Sequence, residues 1–520
     1  MEKQQSIIII GGGVGGLFCG AILSKEGYNV TVFEQHCKIG GGLHQFKREG
    51  VEFETGMHMI GTFQRGGVLN KICSYLGIMN KLSILPSDDN CFELFQIGSD
   101  QKKYRYAKGA ERFIETLAAE FPEERENIKR YVDAMYDIVK ESKMFNLELS
   151  DYTIRYLPKY MTSVGEFIDS FTENERLRAV LALSNPLYSG EQYKTPAYIH
   201  VIISTLFIDG AARFVGGSQQ LAEALTNLIH QQGGGVFTRN GVKHIEIKDK
   251  EIEYIVTADG EKHQADWYIS AIHPSSLFEL MDTSKIQRSY WQRINSIPNS
   301  YSAFTLFIIF KPDSFPYMNY TGYYIDDYSK VWKHGEYMPD EFPNGMMYIT
   351  PPETMNDKYA KKMIINCIMN FDAVKKWENT TVGKRGEEYI MFKKRCEEQI
   401  INKMEKVFPD IRACIKSVYS ASPLTIRDFY NQKEGALYGM KKDCNNITLS
   451  HIPVRTKLKN LLLTGQNINL HGIVGTPLTA VYTCAELLGL EYLLKKIQDN
   501  YNETTFNLSE MEKTSGTDDI

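Results

Sequence analysis

The stretch Ile7-Ile-Ile-Ile10-Gly11-Gly-Gly13-Val-Gly-Gly16 determines the fold of this chain. Four β-branched residues in a row are typical of a buried strand, and the glycines permit a tight turn after it. Residues 17–26 then have the pattern of a helix that ends at Gly27, and residues 28–33 form a second strand that closes on Glu34. Strand, turn, helix and strand in this order are the unit that a dinucleotide fingerprint requires. The sequence therefore predicts an α/β protein with a Rossmann-type domain.

Each glycine of the turn has a separate physical role. Gly11 permits the turn off the strand, Gly13 lacks the side chain that would block a pyrophosphate, and Gly16 lets the helix pack close to the sheet. Phosphates bind at the positive end of the helix that follows. Glu34 can accept hydrogen bonds from the hydroxyl groups of an adenosine ribose. The turn and Glu34 together predict a bound dinucleotide.

Two further glycine elements favour FAD over NAD. Residues 40–42 are three glycines that follow the acidic residue after a short segment, residues 35–39. Flavin-binding proteins with this fingerprint have a Gly-Gly element over the pyrophosphate at this place, and nicotinamide dehydrogenases do not. Near the other end of the chain, residues 461–467 form a strand and a glycine turn, and residues 471–476 open a helix whose positive end would stabilise a reduced flavin. The predicted FAD-binding residues are Gly11, Gly13, Val14, Gly15, Gly16, Glu34, Gln35, Gly41, Gly42, Leu43, Val242, Gly465, Gln466, Val474, Gly475 and Thr476.

The length of 520 residues exceeds what one hydrophobic core usually serves, so we expect two domains. The order of the predicted strands suggests that they interleave. The FAD-binding domain would comprise residues 1–84, 210–290 and 455–496, and a mixed α/β substrate domain would comprise residues 85–209 and 291–454. Residues 497–520 are polar and weakly acidic, which predicts a disordered tail.

Composition excludes several classes of protein. The net charge of -5, without a block of Lys and Arg, argues against nucleic acid as a partner. Nine scattered cysteines without a paired motif argue against a disulfide framework or a metal site. The sequence shows no secretory signal. It also has no run of about 20 apolar residues, so no transmembrane helix is expected. The sequence thus predicts a cytoplasmic protein, with peripheral contact with a membrane and the oligomeric state left open.

Several blocks resemble the retinol saturases, which belong to the phytoene desaturase and carotenoid isomerase family of FAD-dependent oxidoreductases. The resemblance spans nearly the whole chain and is loose over residues 85–210. Two departures are Asn467, where the family would have Asp, and the missing targeting segment of the animal enzymes. The matching blocks are Glu34-Gln-His-Cys-Lys-Ile-Gly-Gly-Gly-Leu-His-Gln-Phe46, Phe53-Glu-Thr-Gly-Met-His-Met-Ile-Gly61, Gly383-Lys-Arg-Gly386, Phe408-Pro409, Ser422-Pro-Leu-Thr425, Gly435-Ala-Leu-Tyr-Gly439 and Leu463-Thr-Gly-Gln466.

The resemblance implies saturation of one carbon–carbon double bond in an apolar polyene or isoprenoid lipid. Reduced flavin would deliver a hydride to one carbon, and a side chain or water would protonate the other. His58, Tyr438 and His471 are the candidate proton donors, and His44 and His200 are weaker ones. The alternative for each histidine, which is the more common role of a histidine, is a hydrogen-bonded structural residue, and the alternative for Tyr438 is a packed aromatic residue whose hydroxyl is hydrogen-bonded. Only one dinucleotide fingerprint is visible. If NAD(P)H is the electron donor, it would therefore bind only transiently.

Two other functions are compatible with the pattern. A desaturase, an isomerase or an amine-type oxidase would use the same scaffold with electrons flowing in another direction. A prenyl-lipid carrier like the GDP-dissociation-inhibitor proteins would share the fold without redox activity. The intact glycines and Glu34 argue against the carrier, because a carrier without flavin does not need them.

Overall fold

A five-stranded parallel sheet forms the centre of the computed structural model, which describes residues 4–56, 59–149 and 162–515. Its strand order is β10-β2-β1-β14-β20, and every neighbouring pair is parallel. The strands come from three distant stretches of the chain. The predicted α/β class with a Rossmann-type sheet is confirmed. The strands are β1 (Ser6–Ile10), β2 (Asn29–Phe33), β10 (Gly235–Phe237), β14 (Trp267–Ser270) and β20 (Leu461–Leu463).

The isoleucine run of β1 is buried on both faces, as its continuous apolar pattern predicts. Ile7 and Ile9 pack in the core that contains the helices, whereas Ile8 and Ile10 pack in a second core on the opposite face. Successive side chains of a strand point to opposite faces, so one short run stabilises both layers. The helices of the first layer are α1 (Val14–Lys25), α8 (Gln219–Gln231) and α15 (Gly472–Leu488).

The second layer contains a small antiparallel sheet, whose strands the sequence places with the nucleotide-binding domain. These strands pair with one another and not with the central sheet. They are β11 (Val242–Lys248), β12 (Glu251–Thr257) and β13 (Lys262–His263), and α9 (Pro274–Glu279) and α10 (Arg288–Asn295) pack beside them.

A seven-stranded mixed sheet faces the parallel sheet across the functional cavity. Its order is β19-β15-β18-β17-β16-β7-β8, and only the β16–β7 pair among these is parallel. One face packs on the long helix α11 (Glu387–Val407). The strands are β7 (Glu93–Ile97), β8 (Lys103–Tyr106), β15 (Ser302–Phe310), β16 (Thr321–Ile325), β17 (Gly345–Ile349), β18 (Lys362–Met369) and β19 (Ile415–Ala421).

A helical layer packs on the β16, β7 and β8 end of this sheet. Its apolar member is α7 (Ala197–Gly210). The apolar run at residues 201–208 of this helix is too short to cross a bilayer. Among the helices of the described ranges, none has the length and apolar character of a membrane span. The other helices of the layer are α3 (Ala110–Ala118), α4 (Arg125–Glu141), α5 (Val164–Asp169) and α6 (Glu175–Leu181).

Short elements connect these layers. The hairpin of β3 and β4 covers part of the mixed sheet. The remaining elements are β3 (Gln45–Arg48), β4 (Val51–Glu54), β5 (Met59–Ile60), β6 (Ile84–Pro86), β9 (Ala212–Phe214), α2 (Val68–Leu76), α12 (Ile411–Cys414), α13 (Pro423–Tyr430) and α14 (Ile447–Ser450).

The last helix, α16 (Leu490–Ser515), continues into residues 497–515, part of the segment for which the sequence predicts a disordered tail. Leu493, Leu494 and Ile497 are buried in the core that also contains α2. Their i, i+1, i+4 spacing places them on one face of a helix.

Candidate active site

A cavity of about 450 Å³ lies between the two large sheets, at the carboxyl ends of the parallel strands. Ile10, Phe33 and Ala271, at the ends of β1, β2 and β14, line it. From β1, the chain adds β2 on one side of the sheet and later adds β14 on the other side, so the strand order reverses at β1. Ligands of open α/β sheets bind at such a switch point. Its position therefore fits a dinucleotide.

The predicted turn after β1 forms one wall of this cavity. Gly11 has a φ of +101°, a conformation that side chains other than glycine rarely adopt. A Cβ on Gly16 would lie 2.0 Å from the carbonyl oxygen of Gly11, so this glycine serves helix packing and does not itself line the cavity. Gly13 differs, since no atom lies within 4 Å of the position its Cβ would occupy. That open space lies in front of the first amides of α1, where a phosphate would bind.

The second glycine element crosses over the first. The Gly40 amide donates a 2.7 Å hydrogen bond to the carbonyl of Gly12, and a Cβ on Gly41 would lie 3.2 Å from Cα of Gly13. Gly42 and Leu43 continue along the cavity wall. Because two backbones approach this closely, the run of glycines has a steric reason as well as a binding one.

Glu34 is held in place by backbone amides. Its Oε2 accepts a 2.8 Å hydrogen bond from Gly12, and its Oε1 accepts a 2.7 Å hydrogen bond from His36. A carboxylate has about four lone-pair sites, so capacity remains for ribose hydroxyls. Gln35 and Val242 line the same end of the cavity.

The turn after β20 closes the cavity from the other side. Gly465 has a φ of +97°, and a Cβ on Gly15 would lie 3.0 Å from Cα of Gly465. Gln466 also lines the cavity, while Asn467 accepts a hydrogen bond from the Met440 amide. The first turn of α15 contributes Val474, Gly475 and Thr476.

These residues fit FAD. The open space at Gly13 accepts a group that a side chain would displace, and the first turns of α1 and α15 both line the cavity. Nε2 of His471, at the start of α15, is buried and has no hydrogen-bond partner among the described residues. Buried polar atoms are normally paired, so a bound group would complete this position.

A second group of residues that line the cavity is apolar, and we call the part of the cavity that they line the apolar arm. Helix α7 forms its longest wall, and loops before α15 and after α4 complete it. The sequence analysis did not identify this arm, because its members are distant in sequence and read individually as core residues. They are Phe145, Leu187, Ile202, Ile203, Leu206, Phe207 and Leu470.

The structure places Tyr438 and His471 together in the cavity. Their ring centroids are 4.7 Å apart, with the planes inclined at 52°. Burial raises the pKa of the Tyr438 phenol above its usual value, so the phenol is protonated near neutral pH. Burial lowers the pKa of the His471 imidazole to about 4, and a hydrogen bond with the backbone of Leu187 partly opposes this shift. Near neutral pH, Tyr438 therefore keeps its phenolic proton, and His471 is a neutral imidazole and not an imidazolium.

The other histidine candidates differ in position. His58 lies outside the described residues. His44 lines the cavity and its Nε2 lies 2.9 Å from the carbonyl of Lys38. His200 is fully buried between the hydroxyl groups of Tyr131 and Tyr188, at 2.6 and 2.9 Å, and does not line the cavity. His200 thus has the structural role that the sequence left as an alternative.

Lys442 is a residue near the site that the sequence analysis missed. Its ammonium group donates hydrogen bonds to the carbonyls of Ser450, Asn467 and Ile468. Burial lowers the pKa of Lys442 to about 8. Two of the three carbonyls belong to the turn between β20 and α15, so Lys442 fixes the loop that positions Gln466 and His471.

The lowered pKa of His471 predicts a pH profile. We expect the reaction rate to be unaffected by this group above about pH 5, because the imidazole is neutral there, and to change only as pH falls through about 4. The measurement is the rate against pH for the native chain and for His471→Gln. A step between pH 6 and 7 that is present in the native chain and lost in the variant would contradict the assignment.

The parallel sheet, the crossed glycine loops and the two helix starts that line the cavity define an FAD-dependent oxidoreductase. The chain belongs to the flavin-containing amine oxidoreductase family, whose profile matches residues 14–389.

Known proteins confirm the resemblance that the sequence suggested. The all-trans-retinol 13,14-reductase of Macaca fascicularis is 24% identical over 540 residues, which cover 96% of this chain and 88% of the relative. A 4,4'-diaponeurosporene oxygenase of Staphylococcus aureus is 22% identical over 504 residues, covering 92% and 96%. A solved putrescine oxidase bound to putrescine aligns with a TM-score of 0.63 at 14% identity, covering 94% of this chain and 99% of that one. This last likeness shows the fold alone.

Proposed function

We propose that this chain saturates a carbon–carbon double bond of an apolar polyene or isoprenoid lipid. FAD would lie in the glycine cradle, which we define as the cavity-lining residues of 11–15, 41–43, 465–466 and 474–476, and the lipid would lie in the apolar arm. One observation carries the proposal: the glycine turns and a group of apolar side chains line one and the same cavity. Relatives named for retinol reduction and for a carotenoid-like polyene support the choice of substrate class.

The residues that would hold FAD are those that line the cradle. The first amides of α1 bind the pyrophosphate, Glu34 accepts from the ribose, and the first turn of α15 stabilises negative charge on the ring. Bound FAD supplies two-electron redox chemistry. Under the proposal, NAD(P)H or another donor reduces it in a separate step.

The chain's own residues exclude water and orient the lipid. The arm of α7 side chains favours an apolar chain by the hydrophobic effect, and Tyr438 presents a protonated hydroxyl to the cavity. Such a lipid partitions into membranes, so peripheral contact with a membrane is part of the proposal.

Tyr438→Phe tests the role of the phenol. We expect turnover of a polyene to fall by about a hundredfold, a typical contribution of general acid catalysis, with flavin content unchanged. The measurement is single-turnover reoxidation of the reduced protein. Tyr301→Phe is the matched control, because the Tyr301 ring contacts Tyr438 but its hydroxyl donates to the carbonyl of Pro186. Unchanged turnover in Tyr438→Phe would assign the proton to water or another group.

The direct test of the reaction is product mass. The protein is reduced anaerobically, mixed with a polyene and analysed by mass spectrometry. A product two hydrogens heavier than the substrate is the expected result. A product two hydrogens lighter, formed by the oxidised protein, would identify a desaturase, and an isomer of equal mass would identify an isomerase. Binding without any product would favour a lipid carrier.

A further inference from the structure

We propose that Thr305 and Asn366 form a polar anchor that binds a neutral oxygen atom of the substrate, and that this pair makes the site selective for oxygen-bearing polyenes over hydrocarbons. The inference rests on the proposed function, since it concerns the lipid in the same cavity. Both residues line that cavity.

The pair sits on the mixed sheet in a fixed geometry. Thr305 of β15 and Asn366 of β18 are direct partners in the antiparallel register. The hydroxyl of Thr305 donates a 2.5 Å hydrogen bond to Oδ1 of Asn366. Two central strands and this bond hold the amide in one orientation, which is what a selective contact requires.

The surroundings make a polar pair unexpected on structural grounds. Along β15, the residues on the same face as Thr305 are Ala303 and Phe307, and along β18 the neighbours of Asn366 are Ile364 and Ile368. Burying a polar group in such a surface costs free energy unless its hydrogen bonds are made. Aliphatic residues of similar size would fill the same space without that cost.

The hydrogen bonds of the pair are incomplete. Oδ1 of Asn366 is used by Thr305, but the amide Nδ2 carries two N–H groups and has no acceptor among the described residues. Thr305 is only 4% exposed, whereas Asn366 is half-buried and reaches the cavity. The amide therefore offers donors to a ligand in this cavity.

The charge of the cavity restricts the acceptor. Among the described residues, no Lys or Arg lines the cavity, whereas the carboxylates of Glu34 and Glu279 do. A substrate carboxylate would lose its hydration without a counter-charge, which is unfavourable. A hydroxyl or carbonyl oxygen, by contrast, needs only a neutral donor. The geometry thus favours a polyene alcohol or aldehyde over both the hydrocarbon and the acid.

The test uses Asn366→Leu, which keeps the volume and removes the donor. Oxidised holoprotein is titrated with a polyene alcohol, the matched hydrocarbon and the matched carboxylic acid, and dissociation constants are read from the perturbation of the flavin spectrum. We expect native protein to bind the alcohol most tightly and the variant to bind it about tenfold more weakly, the effect of one neutral hydrogen bond. Hydrocarbon affinity should be unchanged. Thr305→Val, which frees the amide to rotate, should lower alcohol affinity by a smaller factor.

The outcomes separate this inference from the proposed function. Equal loss of affinity for alcohol and hydrocarbon in Asn366→Leu would show a packing role and overturn the anchor. Equal affinity of native protein for both would also overturn it. Flavin content and thermal unfolding of both variants identify a variant that fails to fold, and Thr305→Val keeps the test available in that case. If the alcohol binds selectively but is never reduced, the anchor stands and the proposed reaction fails.

Discussion

Gly13→Leu is expected to abolish flavin binding while the chain still folds. Gly13 has a φ of -73°, which any residue adopts, and no protein atom lies within 4 Å of the added Cβ. The Cβ of the leucine would therefore meet no part of the protein, and the rest of the side chain would extend into the space where the pyrophosphate would bind. Substitution of Gly11 or Gly16 could not separate the loss of flavin binding from misfolding, because a Cβ at either position collides with the chain itself.

The measurement is the flavin-to-protein ratio after reconstitution with FAD. Circular dichroism and the thermal midpoint of the variant should match those of the native chain stripped of flavin. Gly13→Ala is the graded control, and we expect weaker but detectable flavin binding because one methyl group fills less of the space. Full flavin stoichiometry in Gly13→Leu would contradict the placement of the phosphates on α1.

Ile203→Trp is expected to abolish turnover of a long polyene while FAD stays bound. Ile203 lies on α7, lines the apolar arm and is only half-buried, so a larger side chain can grow into the arm. The indole would fill space that the lipid chain needs. The flavin cradle lies on other elements, so the spectrum of the bound flavin should be retained.

The readout for Ile203→Trp is single-turnover reoxidation of the reduced protein by a long and by a short polyene. The short one should retain more activity. Ile203→Val is the matched control, expected to keep turnover and to lower the free energy of unfolding by about 1 kcal/mol. Normal turnover of the long polyene in Ile203→Trp would show that the lipid binds elsewhere.

The nucleotide-binding half of the site is largely predictable from sequence because its signals are local. The isoleucine run, the glycines after it and Glu34 are contiguous, and each residue type is imposed by backbone geometry or close approach. The three glycines at 40–42 have the same character. Of these glycines, Gly16 lies within α1, and those that line the cavity are Gly11, Gly13, Gly15, Gly41 and Gly42.

The lipid half could not be predicted because its residues meet only after folding. Ile203, Thr305 and Asn366 lie on one helix and two strands that are far apart in the chain. A local signal did exist, since Thr305 and Asn366 are polar residues inside strands that are otherwise almost wholly apolar. The pairing of Tyr438 with His471 depends on the turn that Lys442 fixes, and no spacing rule identifies it.

The visible absorption spectrum of the purified protein tests the central claim most directly. We expect flavin bands in the isolated or FAD-reconstituted protein, bleaching with anaerobic dithionite, and recovery of the bands only when a polyene is added. Reoxidation by an oxygen-bearing polyene in the absence of air would establish both the cofactor and the class of substrate. A protein that shows no flavin bands even after reconstitution would contradict the assignment of the cradle to FAD and would favour a lipid carrier.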